Sequence, residues 1–240
     1  MRKNGNPAPQ RILAEGLAPE DFLSYYKQQF RWARGSLELL FAYNPLFRRG
    51  LTAAQKVQYL ASSSYYLSGI IVLVNALLPL TYFFFSVKPL TINTMTLALI
   101  FLPYIFVILY TLQLTSNFTY TFRALSFSLG SAIIYIKALW HTMIRKKNGF
   151  AVTSKTKVKG NHGRLVIPHL TYIGLVITGV TWGVMREGWS ASMLSNIAWA
   201  CIYIAAFVPF ISAAFEGSRN VSKQKRTTRD PKLKKFEVPV

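Results

Sequence analysis

Gln28, Arg31 and Trp32 stand at positions i, i+3 and i+4 of a stretch that reads as a helix, so they project from one face. The trio offers an amide for hydroxyls, a planar guanidinium fork for phosphate oxygens and a flat indole on which a pyranose ring can stack. The same residue types also suit a membrane surface, as a snorkelling arginine beside a belt tryptophan. Little else in the chain assembles into chemistry. His141, His162 and His169 are scattered and read as solvated loop or interfacial side chains. The single cysteine, Cys201, lies inside an apolar block, which leaves no disulfide within the chain and no cysteine metal site. Asp21 and Asp230 are the two aspartates and are far apart, so no metal site, nucleophile or general base can be built.

The elements that must hold the trio follow from the apolar blocks and the charges between them. Pro19-Glu20-Asp21 reads as a helix start, with proline in the first turn and acids at the positive end of the dipole. That helix should run to about Tyr43 and stop before Pro45. Lys27, Arg31, Arg34 and Glu38 interrupt it, so it is expected to lie in the membrane interface rather than cross. Four uncharged blocks, at about 57–86, 94–114, 165–185 and 192–215, are each long enough to span a bilayer. Between the second and third, residues 117–147 are apolar, but Arg123 and Lys137 leave too short an uncharged run to cross. Phe122, Leu125, Leu129, Ile133, Ile136, Trp140 and Met143 recur there at steps of three and four, while Lys137, His141 and Arg145 line another face. A second interfacial helix is expected. The fold class is therefore all-α integral membrane, with four transmembrane helices plus two amphipathic interfacial helices.

The charge balance is extreme, with 28 Lys+Arg against 8 Asp+Glu for a net +20. Because the basic residues flank membrane-length blocks, anionic lipid or a phosphorylated substrate is the expected partner and nucleic acid is not. Arg48, Arg49 and Lys56, the 145–164 loop and the tail after 215 fall on one side of the membrane, against Lys88 and Arg186 on the other. The positive-inside rule then puts the N-terminus, both interfacial helices and the C-terminus in the cytoplasm. The polar N-terminus does not read as a signal peptide, and the basic tail, 216–240, is expected to be disordered.

Gln-X-X-Arg-Trp, with Gly16-Leu17-Ala18-Pro19-Glu20 before it and Asn44-Pro45-Leu46-Phe47-Arg48-Arg49-Gly50-Leu51 after it, resembles processive family 2 glycosyltransferases, specifically the bacterial cellulose synthase catalytic subunit. A second stretch, Phe150-Ala151-Val152-Thr153-Ser154-Lys155, is similar to that family's Phe-X-Val-Thr-X-Lys gating loop. The resemblance spans about Gly16 to Phe215. It implies that 1–56 ends the glycosyltransferase region, that 57–215 forms a channel, and that Trp32 stacks on the terminal sugar while Arg31 and Gln28 contact the nucleotide diphosphate and acceptor. It further implies that Phe150, Val152, Thr153 and Lys155 close over a UDP-sugar, and that the location is the bacterial inner membrane. The family's Mg²⁺-binding Asp-X-Asp motif and its Thr-Glu-Asp base are not in this chain, and the resemblance implies an upstream catalytic domain that carries both. Two readings stay beside this one: a chitin-, hyaluronan- or other β-glycan synthase fragment, and a non-catalytic basic membrane protein that binds anionic lipid or a partner enzyme.

Overall fold

The computed structural model describes residues 19, 21–88, 94–118, 121–146 and 161–229, with backbone alone at 94, 97 and 217–229. Among these residues the regular structure is entirely helical: α1 (Phe22–Phe41), α2 (Ala53–Ser64), α3 (Ser68–Phe85), α4 (Thr94–Thr115), α5 (Phe122–Gly130), α6 (Ala132–Met143), α7 (Ile167–Glu187) and α8 (Ala191–Arg229), with single 3₁₀ turns between some of them. The protein is an all-α membrane protein.

Local chemistry sets the boundaries. Thr52 and Gln55 form a reciprocal capping box at the start of α2. The serine run at its end turns inward, with Ser62 Oγ donating to the Gln58 carbonyl and Ser64 Oγ to Ala61, and a 3₁₀ turn at Tyr65–Leu67 separates α2 from α3. The break between α5 and α6 has the same origin. Ser131 follows Gly130 and back-bonds to the Phe127 carbonyl at 2.7 Å, a pairing that bends helices. Gly188 closes α7 at φ +71°, a conformation only glycine adopts without strain.

Two buried clusters lie at two levels of α8. One joins Ala76, Leu80, Tyr82 and Phe83 of α3 to Tyr172 and Val176 of α7 and Met193, Ala200 and Phe207 of α8. Its far end is tight: a Cβ on Gly183 would sit 2.6 Å from Met193 Cε. Tyr82 donates to Glu187 there (3.2 Å), Ser86 also donates to Glu187, and Arg186 donates to the Phe84 carbonyl (2.7 Å). The other cluster gathers Phe22, Tyr26, Ala33 and Leu37 of α1, Ile134, Tyr135 and Ala138 of α6, Val166, and Phe210 and Ala214 of α8. So α1 and α6, the segment at 161–166 and the later part of α8's apolar stretch share one end of the molecule, and the α7–α8 turn occupies the other.

Five helical stretches are long and apolar enough to cross a membrane: Ala53–Phe85, Ala98–Thr115, Phe122–Met143, Gly163–Glu187 and Ala191–Glu216. Four correspond to the expected spans. The fifth, Phe122–Met143, qualifies because its two charges, Arg123 and Lys137, are diluted over 22 residues, whereas the sequence reading weighed the short run between them. No residue of Ala98–Thr115 is buried, and Phe101 of α4 meets Trp199 of α8 at 5.0 Å between ring centroids.

Two expectations need correction. His169 is neither solvated nor interfacial. It is 2% exposed, its Nε2 is 2.9 Å from the Gly130 carbonyl, and its ring packs between Phe207 and Phe210. A hydrogen-bonded imidazole is apolar enough on its faces to serve as core. The tail is not wholly irregular either: α8 runs to Arg229, because no proline falls between Pro209 and Pro231 to stop it.

Candidate acceptor-binding helix

The helix that carries the trio is anchored from its first residue. Asp21 is the N-cap and accepts from Ser24 N (2.9 Å) and Ser24 Oγ (2.8 Å). From there Phe22, Tyr26, Phe30, Ala33 and Leu37, at steps of four, four, three and four, turn to the core. Gln28, Arg31 and Trp32 leave the helix on the opposite side. Arg31 and Trp32 are exposed, Trp32 by 52%, and Gln28 is half-buried. The structure thus brings the three together on one outward face. One turn beyond them Gly35 continues that face, with no atom within 4 Å of where a Cβ would be, so the backbone beside the indole is open. A mid-helix glycine costs about 1 kcal/mol relative to alanine, and no packing contact here recovers it.

What holds α1 in place is α6, which runs parallel to it in register. Along one edge, Tyr25 and Ser131 share a hydrogen bond (2.9 Å) and Tyr135 donates to Gln29 Oε1 (3.3 Å). Burial pushes the Tyr25 phenol above its ordinary range, opposed by the Ser131 bond. Along the other edge, Lys137 Nζ lies 5.6 Å from the centre of the Tyr26 ring and 5.9 Å from that of Phe30. His141 meets Phe30 edge-on at 5.2 Å, and Arg34 donates to the backbone carbonyl of Lys146. Of the two adjacent glutamines, Gln29 is therefore the structural one and Gln28 the one left outward. Nothing in the sequence marks Gln29 or Tyr25, and Arg34 reads there only as a charge that interrupts the helix. For Arg34 the step of four from Phe30 was the available signal.

Phe150, Val152, Thr153 and Lys155 lie outside the described residues. The described chain on both sides of them reaches α1: Lys146 through Arg34, and 161–165 through a cleft of about 420 Å³ lined by Leu23, Asn161, His162, Gly163, Arg164 and Leu165. No group of three or more His, Cys, Asp or Glu side chains able to hold a metal occurs among the described residues. Asp21 is committed to its cap, and Glu38, Glu187 and Glu216 sit on three different helices. This donor set does not fit Mg²⁺.

No family model matches the chain. Among curated proteins it is similar to cellulose synthase 1 of Komagataeibacter xylinus, with 25% identity over 238 residues that cover 94% of this chain and 15% of that protein. The UDP-forming cellulose synthase catalytic subunit of Pseudomonas fluorescens is 22% identical over 225 residues, 90% of this chain and 30% of that protein. A second K. xylinus protein, the UDP-forming cellulose synthase 1 catalytic subunit, is 27% identical over 158 residues, 65% of this chain and 21% of that protein. The chain is cellulose-synthase-like. It spans less than a third of the length of each of these relatives, and its similarity to two of the three covers 90% or more of this chain. The cellulose-synthase-like chain thus presents a polar and aromatic face on a helix that the bundle anchors and leaves uncovered.

Proposed function

We propose that this chain is the acceptor-binding and glycan-conducting membrane part of a processive β-glycosyltransferase, working with a catalytic domain it does not contain. The observation that carries the reading is the outward Gln28–Arg31–Trp32 face on a helix whose other side is locked to α6 and α8. A terminal sugar stacks on the Trp32 indole and Gln28 bonds its hydroxyls. Arg31 meets the diphosphate of a nucleotide sugar with a bidentate fork. Phe150, Val152, Thr153 and Lys155 close over that nucleotide, Lys155 supplying a cation and Thr153 a hydroxyl. Mg²⁺, bound by upstream carboxylates, would neutralise the leaving diphosphate; no residue here contributes to that step. The names of the relatives favour a β-glucan product over chitin or hyaluronan.

In the topology we infer, four helices cross the bacterial inner membrane and Phe122–Met143 lies along its cytoplasmic surface, with both termini cytoplasmic. Its support is the register of α6 beside α1, because Lys27, Arg31, Arg34 and Glu38 keep α1 out of hydrocarbon.

The chain should be expressed with a cellulose synthase catalytic domain that bears Asp-X-Asp and Thr-Glu-Asp, fused or separate, and glucan synthesis from UDP-glucose followed in membrane vesicles. Synthesis is expected only when both parts are present. It should fall at least tenfold in Lys155→Ala, since a cation–phosphate hydrogen bond contributes about 1.5–3 kcal/mol. Turnover by the chain alone, or indifference to Lys155, overturns the assignment.

A further inference from the structure

The seam between α1 and α6 carries a cluster of cations that the acceptor site does not use. Arg34 comes from α1, Lys137 and His141 from α6, and Arg145 and Lys146 from just beyond its last turn. None makes an ion pair among the described residues; the pairs there are Arg123–Glu216 and Arg186–Glu187, both elsewhere. Glu38, one turn beyond Arg34, makes no ion pair with it. Lys146, Lys137 and Arg34 all act electrostatically on His141, so their like charges converge on one place.

Two polar atoms at this place are buried and have no hydrogen-bond partner among the described residues: Nη1 of Arg34 and Nδ1 of His141. The other guanidinium nitrogen of Arg34, Nη2, is satisfied by the Lys146 carbonyl, so the orphaned Nη1 is not the result of a side chain left loose. A buried cationic N–H without an acceptor is costly, and such groups in native folds have an acceptor that is a protein atom, water or ligand. No carboxylate among the described residues pairs with these cations, and an anion with several acceptor oxygens suits both atoms.

We propose that Arg34 and His141, with Lys137 and Lys146 as flanking charges, form a phosphate-binding site at the end of the α1–α6 seam. A phosphate oxygen accepts from Arg34 Nη1, a second accepts from His141 in its Nδ1–H form, and the two ammonium groups balance the charge. The surroundings identify an anionic phospholipid headgroup as the source. Trp140 and Met143 on the last turn of the same helix and Ile144 at its C-cap are all exposed, at 63%, 67% and 50%, where acyl chains would cover them. The site is separate from the glycosyltransferase reading and stands without it, because Arg34 and His141 flank the core seam rather than the Gln28–Trp32 face.

The test is native mass spectrometry of the full chain in neutral detergent, titrated with phosphatidylglycerol or phosphatidylcholine. One phosphatidylglycerol should be retained in preference to phosphatidylcholine. Arg34→Gln with His141→Gln should weaken retention about tenfold, or about 1.4 kcal/mol. Arg49→Gln with Lys88→Gln, which removes charge away from the seam, should leave it unchanged. If the first pair fails to fold, Lys137→Gln against Lys88→Gln serves instead, with a roughly threefold loss expected, because the exposed Lys137 ammonium makes no hydrogen bond among the described residues. Displacement of the lipid by millimolar inorganic phosphate supports the phosphate site and makes a soluble phosphate its occupant; no displacement makes it the lipid. Equal retention of the two lipids, or an equal loss in the control pair, overturns the site.

Discussion

Replacing Trp32 with alanine separates a substrate platform from a packing residue. A tryptophan presents up to about 250 Å², and Trp32 leaves 52% of its surface open, so about 130 Å² is free. A pyranose ring laid on one face covers about half of that, or ~65 Å². At about 25 cal/mol per Å² the contact contributes ~1.6 kcal/mol, a factor of roughly 15 in acceptor affinity. Misplacing the attacking hydroxyl would add to the loss in rate. Because the indole projects away from Phe22, Tyr26, Ala33 and Leu37, the fold should change by less than about 0.5 kcal/mol. The assay is elongation of cello-oligosaccharides by the chain rejoined to a catalytic domain, run beside thermal denaturation of the chain in detergent. Elongation should collapse while the melting curve stays in place. Normal elongation would return Trp32 to the membrane belt, and a shifted melting curve would make it a packing residue; either result would falsify the stacking argument.

Gly130→Ala should destabilise the protein by about 1–3 kcal/mol, because the new methyl would lie 2.4 Å from Phe210 Cγ in a fully buried ring. Denaturant titration reads the loss, and an unchanged midpoint would mean that α5 and α8 can part at no cost. Reporter fusions after Lys88 and Arg186 should read external, and those after Lys155 and Lys235 cytoplasmic. A crossing by Phe122–Met143 would reverse the readings at 155, 186 and 235 together. Tyr25 has its phenol pKa raised by burial, so its contribution is full below the unfolded value of about 10 and declines as pH rises through the higher folded value. Between pH 10 and 11 the wild type should therefore lose more stability than Tyr25→Phe, measured as the difference in melting temperature at the two pH values.

Much of this architecture can be read from residue order alone. The four uncharged blocks announce their helices, since backbone groups in hydrocarbon have no other way to be satisfied. The start of α1 is legible because Asp21 caps it by a bond to the residue three positions on. The site face follows from spacing, and the burial of Phe22, Tyr26 and Leu37 places it outward as the helical period requires. What could not be read depends on partners distant in sequence. Gln28 and Gln29 are interchangeable until Tyr135 claims one of them. His169 looks solvated until Gly130 and two phenylalanines enclose it. The division of 122–143 at Ser131 turns on a hydroxyl bonding its own helix, which Thr178 and Thr181 also do inside the unbroken α7.

The placement of α1 also has a consequence in time. Phe22 packs against Phe210 at 5.0 Å, a contact between residues nearly 190 positions apart. At about 5–20 residues per second, the ribosome needs roughly 10–40 s to make the second partner after the first. Throughout that interval Phe22, Tyr26, Ala33 and Leu37 are synthesised but uncovered, and α6, their other partner, arrives more than halfway through. An amphipathic helix in that position can rest on the bilayer surface, which shields its apolar stripe until α8 inserts. Helix α1 is then made well before the helices that cover it and locked only after them, so it settles only in chains whose α8 is in place.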